Sequence, residues 1–368
     1  MMREKKKKKN MKILLICLII LCLIGGVPFL MIKMCKSTHI HAPNGQHVYK
    51  FYDEPEGTLD GIYLGSSAAD KFWLPTEAFD RSGIAIYNLG TTNQPFVTTK
   101  YIIEEALKTQ KDMDVILIEI RCLVRPVRKT SEEFVKIWTD VMPFSKNRSA
   151  MIKRYLEYNK EAGADIDYSP NDYYFPVGRN HMEWIKKFNL GDFALLFADT
   201  KRLHSYKGYP KDHLTFLIEP QKNPKPFTES EPLEPIKEEM FQDLLDYCKT
   251  LDAKVIFVSA PFLYLKSGIE QTTYVLDRCE EEGFDTLNFN CEPLQSEIDL
   301  DWKHDFYNYK HTNYWGAVKF TDFMTDYLVQ NYDLPDHRGD PKYDSWVERS
   351  DDLHEVVEEY EATMQQGQ

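Results

Sequence analysis

The stretch Val115-Ile116-Leu117-Ile118-Glu119-Ile120 is a short and almost uninterrupted apolar run. A strand of this composition is typical of a parallel sheet whose two faces are both covered by helices. Similar runs and helical patterns alternate on both sides of it. The other predicted strands are 62–64, 84–89, 255–259 and 286–289, and the predicted helices are 95–108, 235–251 and 274–282. This alternation predicts an α/β fold with a parallel sheet.

The alternation stops between residues 121 and 234, where aromatic, charged and proline residues are frequent. We predict a mostly helical insertion here, with its aromatic side chains packed in a core. The whole α/β domain is expected to be a three-layer domain over 58–332. A polar stalk is expected to precede it at 35–57, and an acidic tail to follow at 333–368. One face of the tail is apolar, and Asp352 and Glu355 have capping-box spacing for a helix.

The N-terminus combines a basic cluster with a long apolar run. Residues 1–12 carry seven basic side chains and one acidic one, and residues 13–32 are apolar. About 20 apolar residues are enough for a helix to cross a bilayer. We therefore predict a transmembrane anchor at 13–34, with 1–12 in the cytoplasm and the rest outside the plasma membrane. The alternative is a cleaved signal peptide, but its apolar part is usually shorter, at about 7–15 residues.

Charge and cysteine content exclude some functions. The net charge of the chain is −13, so residues after the basic N-terminus carry −19. An external part this acidic is a poor match for nucleic acid or for an anionic lipid surface. The seven cysteines have no CxxC spacing, which argues against a structural zinc site.

Three stretches contain residue types that can carry out chemistry. Two of them directly follow predicted strands, and the third lies in a polar loop before a helical pattern. The first is Gly65-Ser66-Ser67, after the first strand. A serine there lies at a helix start, where its N–H can stabilise an oxyanion, although serine is also a common helix cap. The second contains Gly90, where the backbone can approach a substrate closely. The third contains His311 in a polar loop before a helix, and a serine hydroxyl needs such a base to become a nucleophile.

Together these stretches resemble the SGNH hydrolase family, over about residues 59–120 and 253–332. The resemblance is closest to the membrane-anchored branch that includes the D-alanyl-transfer protein of teichoic acids and the alginate-type O-acetyltransferases. The family's nucleophile is third in a Gly-x-Ser block, which selects Ser67 over Ser66. The family's last block has Asp-x-x-His and then Asn-x-x-Gly. The matching residues here are His311, Asn313 and Gly316, with Asn308 in the position of the aspartate.

The resemblance implies roles for these residues. Ser67 would be the nucleophile and His311 its base, while the N–H groups of Ser67 and Gly90 would form an oxyanion hole. The residue that orients His311 would be Asp305 or Asn308, or there would be none. The family's third block, Gly-x-Asn, is absent, and Asn93 or Arg121 is the candidate for a second oxyanion donor.

The resemblance also implies a function. It favours acyl transfer, of an O-acetyl or similar group, onto a cell-wall or exopolysaccharide acceptor, with a polytopic membrane O-acyltransferase as partner and with no metal or organic cofactor. The first alternative is a carbohydrate esterase that uses the same residues. The second is a non-catalytic, anchored polysaccharide-binding or assembly protein, which the replacement of the aspartate by Asn308 keeps open.

Overall fold

The fold is built on a parallel sheet of five strands. The computed structural model describes residues 2–26, 29–30, 33, 43–124, 130–164, 169–174, 194, 197, 205–209, 214, 230–262 and 269–366. The strands of this sheet are β1 (Gly61–Leu64), β2 (Ile86–Asn88), β3 (Val115–Glu119), β4 (Lys254–Ser259) and β5 (Asp285–Asn288). Their order is β2-β1-β3-β4-β5, and all neighbouring pairs are parallel. The predicted α/β fold with a parallel sheet is confirmed.

Helices pack on both faces of this sheet, whereas the apolar segment of the N-terminal helix is exposed. In chain order they are α1 (Met2–Leu21), α2 (Pro43–Phe51), α3 (Ser67–Phe72), α4 (Pro75–Ser82), α5 (Thr99–Ala106), α6 (Arg121–Val124), α7 (Glu132–Thr139), α8 (Lys146–Glu161), α9 (Pro170–Tyr174), α10 (Pro235–Cys248), α11 (Ile269–Glu281), α12 (Leu294–Glu297), α13 (Tyr314–Asn331) and α14 (Asp344–Gln366). A short antiparallel hairpin, β6 (Phe306–Asn308) and β7 (His311–Thr312), precedes α13.

Both faces of the sheet are buried, as the apolar composition of the strands predicts. Along β3, Ile116 and Ile118 lie in one apolar cluster, which also contains side chains of α5, α8, α10 and α11. Val115 and Leu117 point the other way, into a second cluster with side chains of α3 and α13. This alternation is the period of two expected for a strand between two layers. The core therefore has three layers, helix, sheet and helix.

The predicted stalk is wrong from residue 43 onward. Residues Pro43–Phe51 form a helix instead of an extended linker. Val48 and Phe51 lie three residues apart on this helix and are fully buried in the core. Its main chain is also bonded to the sheet, because Tyr87 Oη donates to the carbonyl of His47 at 2.8 Å. Residues 35–42 lie outside the described part.

The insertion and the tail both contain helices in their described parts. In the 121–234 interval, the aromatic side chains of Tyr155, Tyr158 and Tyr173 are buried in the core, as predicted. The tail helix α14 packs back on the domain through apolar residues that include Trp346 and Leu353. The predicted capping box at Asp352 and Glu355 is wrong, because both residues lie inside α14, which begins at Asp344.

The N-terminal helix is long and apolar enough to cross a membrane. The segment Lys7–Gly26 has a mean hydropathy of 2.0 and none of it is buried. It comprises most of α1 and a π-helical turn at Cys22–Gly26. A signal sequence near the N-terminus can meet the same criteria of length and hydropathy.

Candidate functional site

Ser67 is positioned by the turn between β1 and α3. Gly65 has a φ of +150°, and a Cβ atom there would lie 2.7 Å from Glu119 Cβ, so only glycine fits. Ser66 then adopts an extended conformation and Ser67 begins the helix. Because Ser67 is the first helical residue, its N–H has no acceptor within the helix. This turn lies at the carboxyl edge of the sheet, between β1 and β3, where the strand order reverses and ligands of such folds usually bind.

His311 lies beside Ser67 although 244 residues separate them in the chain. The Nε2 atom of His311 is 2.8 Å from Ser67 Oγ. Ser67 is buried, with 6% of its surface exposed, and His311 is part-exposed. The ring of Tyr307 stacks on the imidazole, with 5.6 Å between centroids and 15° between planes. The structure therefore brings together the two residues that the sequence predicts as nucleophile and base.

Asn308 determines which nitrogen of His311 carries the proton. The main-chain N–H of Lys310 donates a hydrogen bond to the Asn308 side chain at 2.9 Å. Because an N–H needs an acceptor, the atom of the amide that faces it is the oxygen, Oδ1. The same oxygen is 3.0 Å from His311 Nδ1. Since a carbonyl oxygen only accepts, Nδ1 carries the hydrogen and Nε2 is the acceptor for the Ser67 hydroxyl. This is the tautomer that a general base requires.

Asp305 does not contact His311. Its carboxylate accepts from Lys319 Nζ at 2.8 Å and from the main-chain N–H of Asp301 at 2.6 Å. Its carbonyl accepts from the N–H of Asn313. Of the two residues predicted to orient the base, the structure thus places Asn308 against the imidazole, while Asp305 holds the loop before the hairpin.

The residues after His311 anchor the hairpin. Thr312 Oγ1 donates to the carbonyl of Lys71 in α3 at 2.7 Å, which joins the hairpin to the helix of the nucleophile. Asn313 is the N-cap of α13, since its Oδ1 accepts from Gly316 N at 3.0 Å. Its Nδ2 donates to the carbonyl of His304. Asn313 and Gly316, which were matched to the family's last block, therefore stabilise the conformation of the loop around His311.

Gly90 approaches the nucleophile helix closely, but its N–H is already paired. A Cβ atom at Gly90 would lie 2.4 Å from the nitrogen of Asp70 in α3. The Gly90 N–H donates to Asn88 Oδ1 at 2.9 Å. The predicted oxyanion donor at Gly90 is therefore engaged within the protein, and the requirement for glycine comes from close packing on α3.

The two other candidate oxyanion donors lie on the same edge of the sheet. Asn93 has a left-handed backbone, with a φ of 52°, in the turn after Gly90. Arg121 begins α6 after β3 and is buried, with its guanidinium bonded to carbonyl oxygens. The guanidinium of Arg121 thus donates to main-chain carbonyls of the protein, whereas the predicted role was donation to the oxyanion of a substrate.

Sequence reasoning missed two residues that support the site. The Nδ2 atom of Asn88 donates to the carbonyls of Ala69 and Trp73, which fixes α3 against the end of β2. His47 Nε2 lies 2.7 Å from the carbonyl of Gly90, and burial lowers the pKa of this imidazole, partly opposed by the Asp70 carboxylate. The location of Asn88 at the end of a buried strand could have identified it as a residue near the site. The polar sequence around His47 gave no indication that this residue is buried.

No family model, curated protein or solved structure matches this chain. Among the described residues there is also no group of three or more His, Cys, Asp or Glu side chains that could hold a metal ion. The chemistry of the site must therefore be inferred from its geometry.

Proposed function

We propose that this protein is an SGNH-like serine acyltransferase that works through an acyl-serine intermediate. The observation that carries the proposal is the 2.8 Å distance between His311 Nε2 and Ser67 Oγ, with Nδ1 bonded to Asn308. A serine, a base in hydrogen-bond contact and a third group that orients the base are the arrangement that activates a hydroxyl for attack. The strand order and the location of Ser67 at the carboxyl edge of β1 support the same assignment.

The proposed reaction has two halves. His311 Nε2 takes the hydroxyl proton as Ser67 Oγ attacks the carbonyl carbon of an ester or thioester. When the tetrahedral intermediate collapses, the bond to the leaving group breaks and His311 gives that group its proton. The acyl-serine is then attacked by a second hydroxyl, again with His311 as the base, and Ser67 regains its proton.

The oxyanion requires donors that the protein does not use itself. The N–H of Ser67 is suited to this, because it is the first in α3 and lies next to the reacting oxygen. Loss of one oxyanion donor in such enzymes typically costs about 10²–10³ in rate. The proposal assigns no oxyanion role to Gly90, whose N–H is bonded to Asn88.

The N-terminal segment supports a location at the membrane surface. The apolar helix follows a cluster of lysines, and positive residues usually remain on the cytoplasmic side. We place the α/β domain on the extracytoplasmic side. The proposed acceptor is a hydroxyl of a cell-wall or exopolysaccharide polymer, and the proposed donor of acyl groups is a polytopic membrane O-acyltransferase.

Labelling with a fluorophosphonate tests the nucleophile. Full-length protein in detergent is treated with the probe, and the modified residue is identified by mass spectrometry. Ser67→Ala should abolish labelling. Ser66→Ala is the matched control and should label normally, because Ser66 Oγ is buried without a hydrogen-bond partner among the described residues. Folded wild-type protein that does not label would refute the proposal and favour a binding protein.

A second measurement separates transfer from hydrolysis. An acetylated oligosaccharide is incubated with the protein, with and without an unacetylated sugar acceptor. Transfer predicts acetylation of the acceptor and little release of acetate in plain buffer. Rapid acetate release without transfer would instead identify a carbohydrate esterase that uses the same three residues.

A further inference from the structure

Arg121 is a buried cation whose guanidinium contacts main-chain carbonyl oxygens and one carboxylate. Its Nη1 donates to the carbonyl of Lys310 at 2.6 Å, and its Nη2 to the carbonyl of Pro261 at 3.0 Å. A longer bond of 3.3 Å joins Nη2 to the carbonyl of Ala260. The Nε atom faces the carboxylate of Glu119 at 3.8 Å, and both side chains have no exposed surface. The guanidinium thus links the carboxyl ends of β3 and β4 to the hairpin of His311.

The contact with Lys310 is the one that affects the site. Both main-chain polar groups of Lys310 form hydrogen bonds. Its N–H donates to Asn308 Oδ1, and its carbonyl accepts from Arg121 Nη1. His311 is the next residue in the chain. The main chain that determines the direction of the imidazole is therefore fixed between Asn308 and a charged donor, and hydrogen bonds from charged donors are about twice as strong as neutral ones.

Two aromatic rings complete the environment of the guanidinium. The Cζ atom of Arg121 lies 5.0 Å from the ring centroid of Phe262 and 5.6 Å from that of Phe72. Phe72 is the last residue of α3, the helix that begins with Ser67. One buried side chain therefore contacts both the helix of the nucleophile and the hairpin of the base.

We propose that Arg121 is a positioning residue that holds His311 against Ser67. Its effect on catalysis rests on the proposed function, but its effect on the hairpin does not. Arginine suits this role better than lysine, since its planar fork presents several N–H groups in fixed directions and stays charged when buried. The Glu119 carboxylate, 3.8 Å from Nε, offsets part of the cost of burying this charge.

Two measurements on full-length protein in detergent test the proposal. Amide hydrogen exchange of the 306–312 segment, read from its peptides by mass spectrometry, should be faster in Arg121→Met than in wild type. The maximal rate of labelling by the fluorophosphonate should fall by about 10²-fold, the size of effect expected when a reacting group moves by about 1 Å. The probe concentration at half-maximal rate should stay unchanged, because the Arg121 side chain has no exposed surface with which to bind the probe.

Arg148→Met is the matched control, because Arg148 is also a buried arginine whose guanidinium donates to carbonyls, those of Met142 and Tyr173. It should lower the unfolding midpoint but leave the exchange of 306–312 and the labelling rate unchanged. Arg121→Lys keeps the charge and loses the fork, so it should lie between wild type and Arg121→Met. It also serves as the test variant if Arg121→Met does not fold.

The outcomes separate the two proposals. Wild-type exchange of 306–312 in an Arg121 variant would overturn the positioning role, and so would a wild-type labelling rate. If the wild-type protein does not label at all, the proposed function fails. Faster exchange of 306–312 in the Arg121 variant would then still support the contact between Arg121 and the hairpin.

Discussion

Replacement of Asn308 by Asp tests the proposed base most directly. The amide oxygen of Asn308 lies 3.0 Å from His311 Nδ1 and fixes the tautomer, but it carries no full charge. A carboxylate of the same length can accept the same two hydrogen bonds, from Lys310 N–H and from Nδ1–H. Asn308→Asp therefore adds a negative charge to the site with little change in its shape.

The distance determines the expected effect. An opposite charge within about 4–6 Å usually moves the titration of an ionisable group by about 1–3 pH units in favour of its charged form. His311 is part-exposed, so screening by solvent favours the lower end of this range, about 1 pH unit. One pH unit corresponds to about 1.4 kcal/mol in favour of the imidazolium.

The rate of fluorophosphonate labelling as a function of pH measures this effect. The base must be neutral to accept the proton of Ser67, so labelling should increase with pH through the titration of His311. In Asn308→Asp the midpoint of this increase should be higher by about 1 pH unit. Above the midpoint the labelling rate should exceed that of wild type, by up to about tenfold for 1.4 kcal/mol of transition-state stabilisation.

Two results would refute this reasoning. An unchanged midpoint in folded Asn308→Asp would mean that Asn308 does not face the base in solution. A pH-independent rate in the wild type would mean that His311 does not act as the base. Asn308→Ala is the control, because it removes the acceptor without adding a charge and should slow labelling with no upward movement of the midpoint.

Three further predictions concern the parts of the fold that support the site. Burial lowers the pKa of His47 below its ordinary value of 6.5, so below that pH the unfolded chain binds this proton more readily than the folded one. The free energy of unfolding should therefore decrease as the pH falls from 6.5, with a slope of up to about 1.4 kcal/mol per pH unit, and His47→Gln should remove this dependence in urea titrations. Gly90→Ala forces a Cβ atom against the backbone of α3, so it should lower stability by about 1–3 kcal/mol and slow the labelling of Ser67. Trp346→Ala should cost about 3–5 kcal/mol if α14 is part of the core, whereas Val347→Ala, at a position with 43% exposure, should change stability little. Equal effects of the last two variants, or a His47→Gln protein with wild-type pH dependence, would contradict these assignments.

The sequence predicted the sheet well because its strands carry a local signal. A strand with both faces covered must be apolar at nearly every position, and the run at 115–120 shows this without reference to the rest of the chain. The helix at 43–51 carries a much weaker signal. Its buried apolar side chains are Val48 and Phe51, and both lie in an otherwise largely polar segment. Two such residues do not indicate from the sequence that the helix packs against the core.

The tail helix illustrates a different limit. The apolar spacing that includes Leu353 and Val357 was visible, but the helix begins earlier, at Asp344. Its first turns are held by Trp346, which contacts Phe79 with 5.5 Å between ring centroids. Such a tertiary contact determines where the helix begins, and the local pattern at Asp352 and Glu355 carries no information about it.

Within the site, spacing identified the residues but not their partners. Asp305 and Asn308 both precede His311 closely, and sequence alone gives no reason to prefer one. The hairpin decides between them, because its turn directs Asn308 Oδ1 to Lys310 N–H and His311 Nδ1, while Lys319 in α13 binds the Asp305 carboxylate. Likewise, the N–H of Gly90 could be assigned to Asn88 only once the turn after β2 was known.

The use of a neutral residue beside His311 has a consequence for how the site must work. An aspartate orients an imidazole and also stabilises its cation, whereas Asn308 can do only the first. The position of His311 relative to Ser67 must then contribute more to the rate, and this position depends on main-chain contacts of the hairpin. Arg121 supplies a charged donor to that main chain from the opposite side to Asn308. Loss of Arg121 should therefore slow labelling more in the wild type than in Asn308→Asp, where a direct ionic bond to the imidazolium helps to hold the ring. Equal effects of Arg121→Met in both backgrounds would show that the two residues act independently.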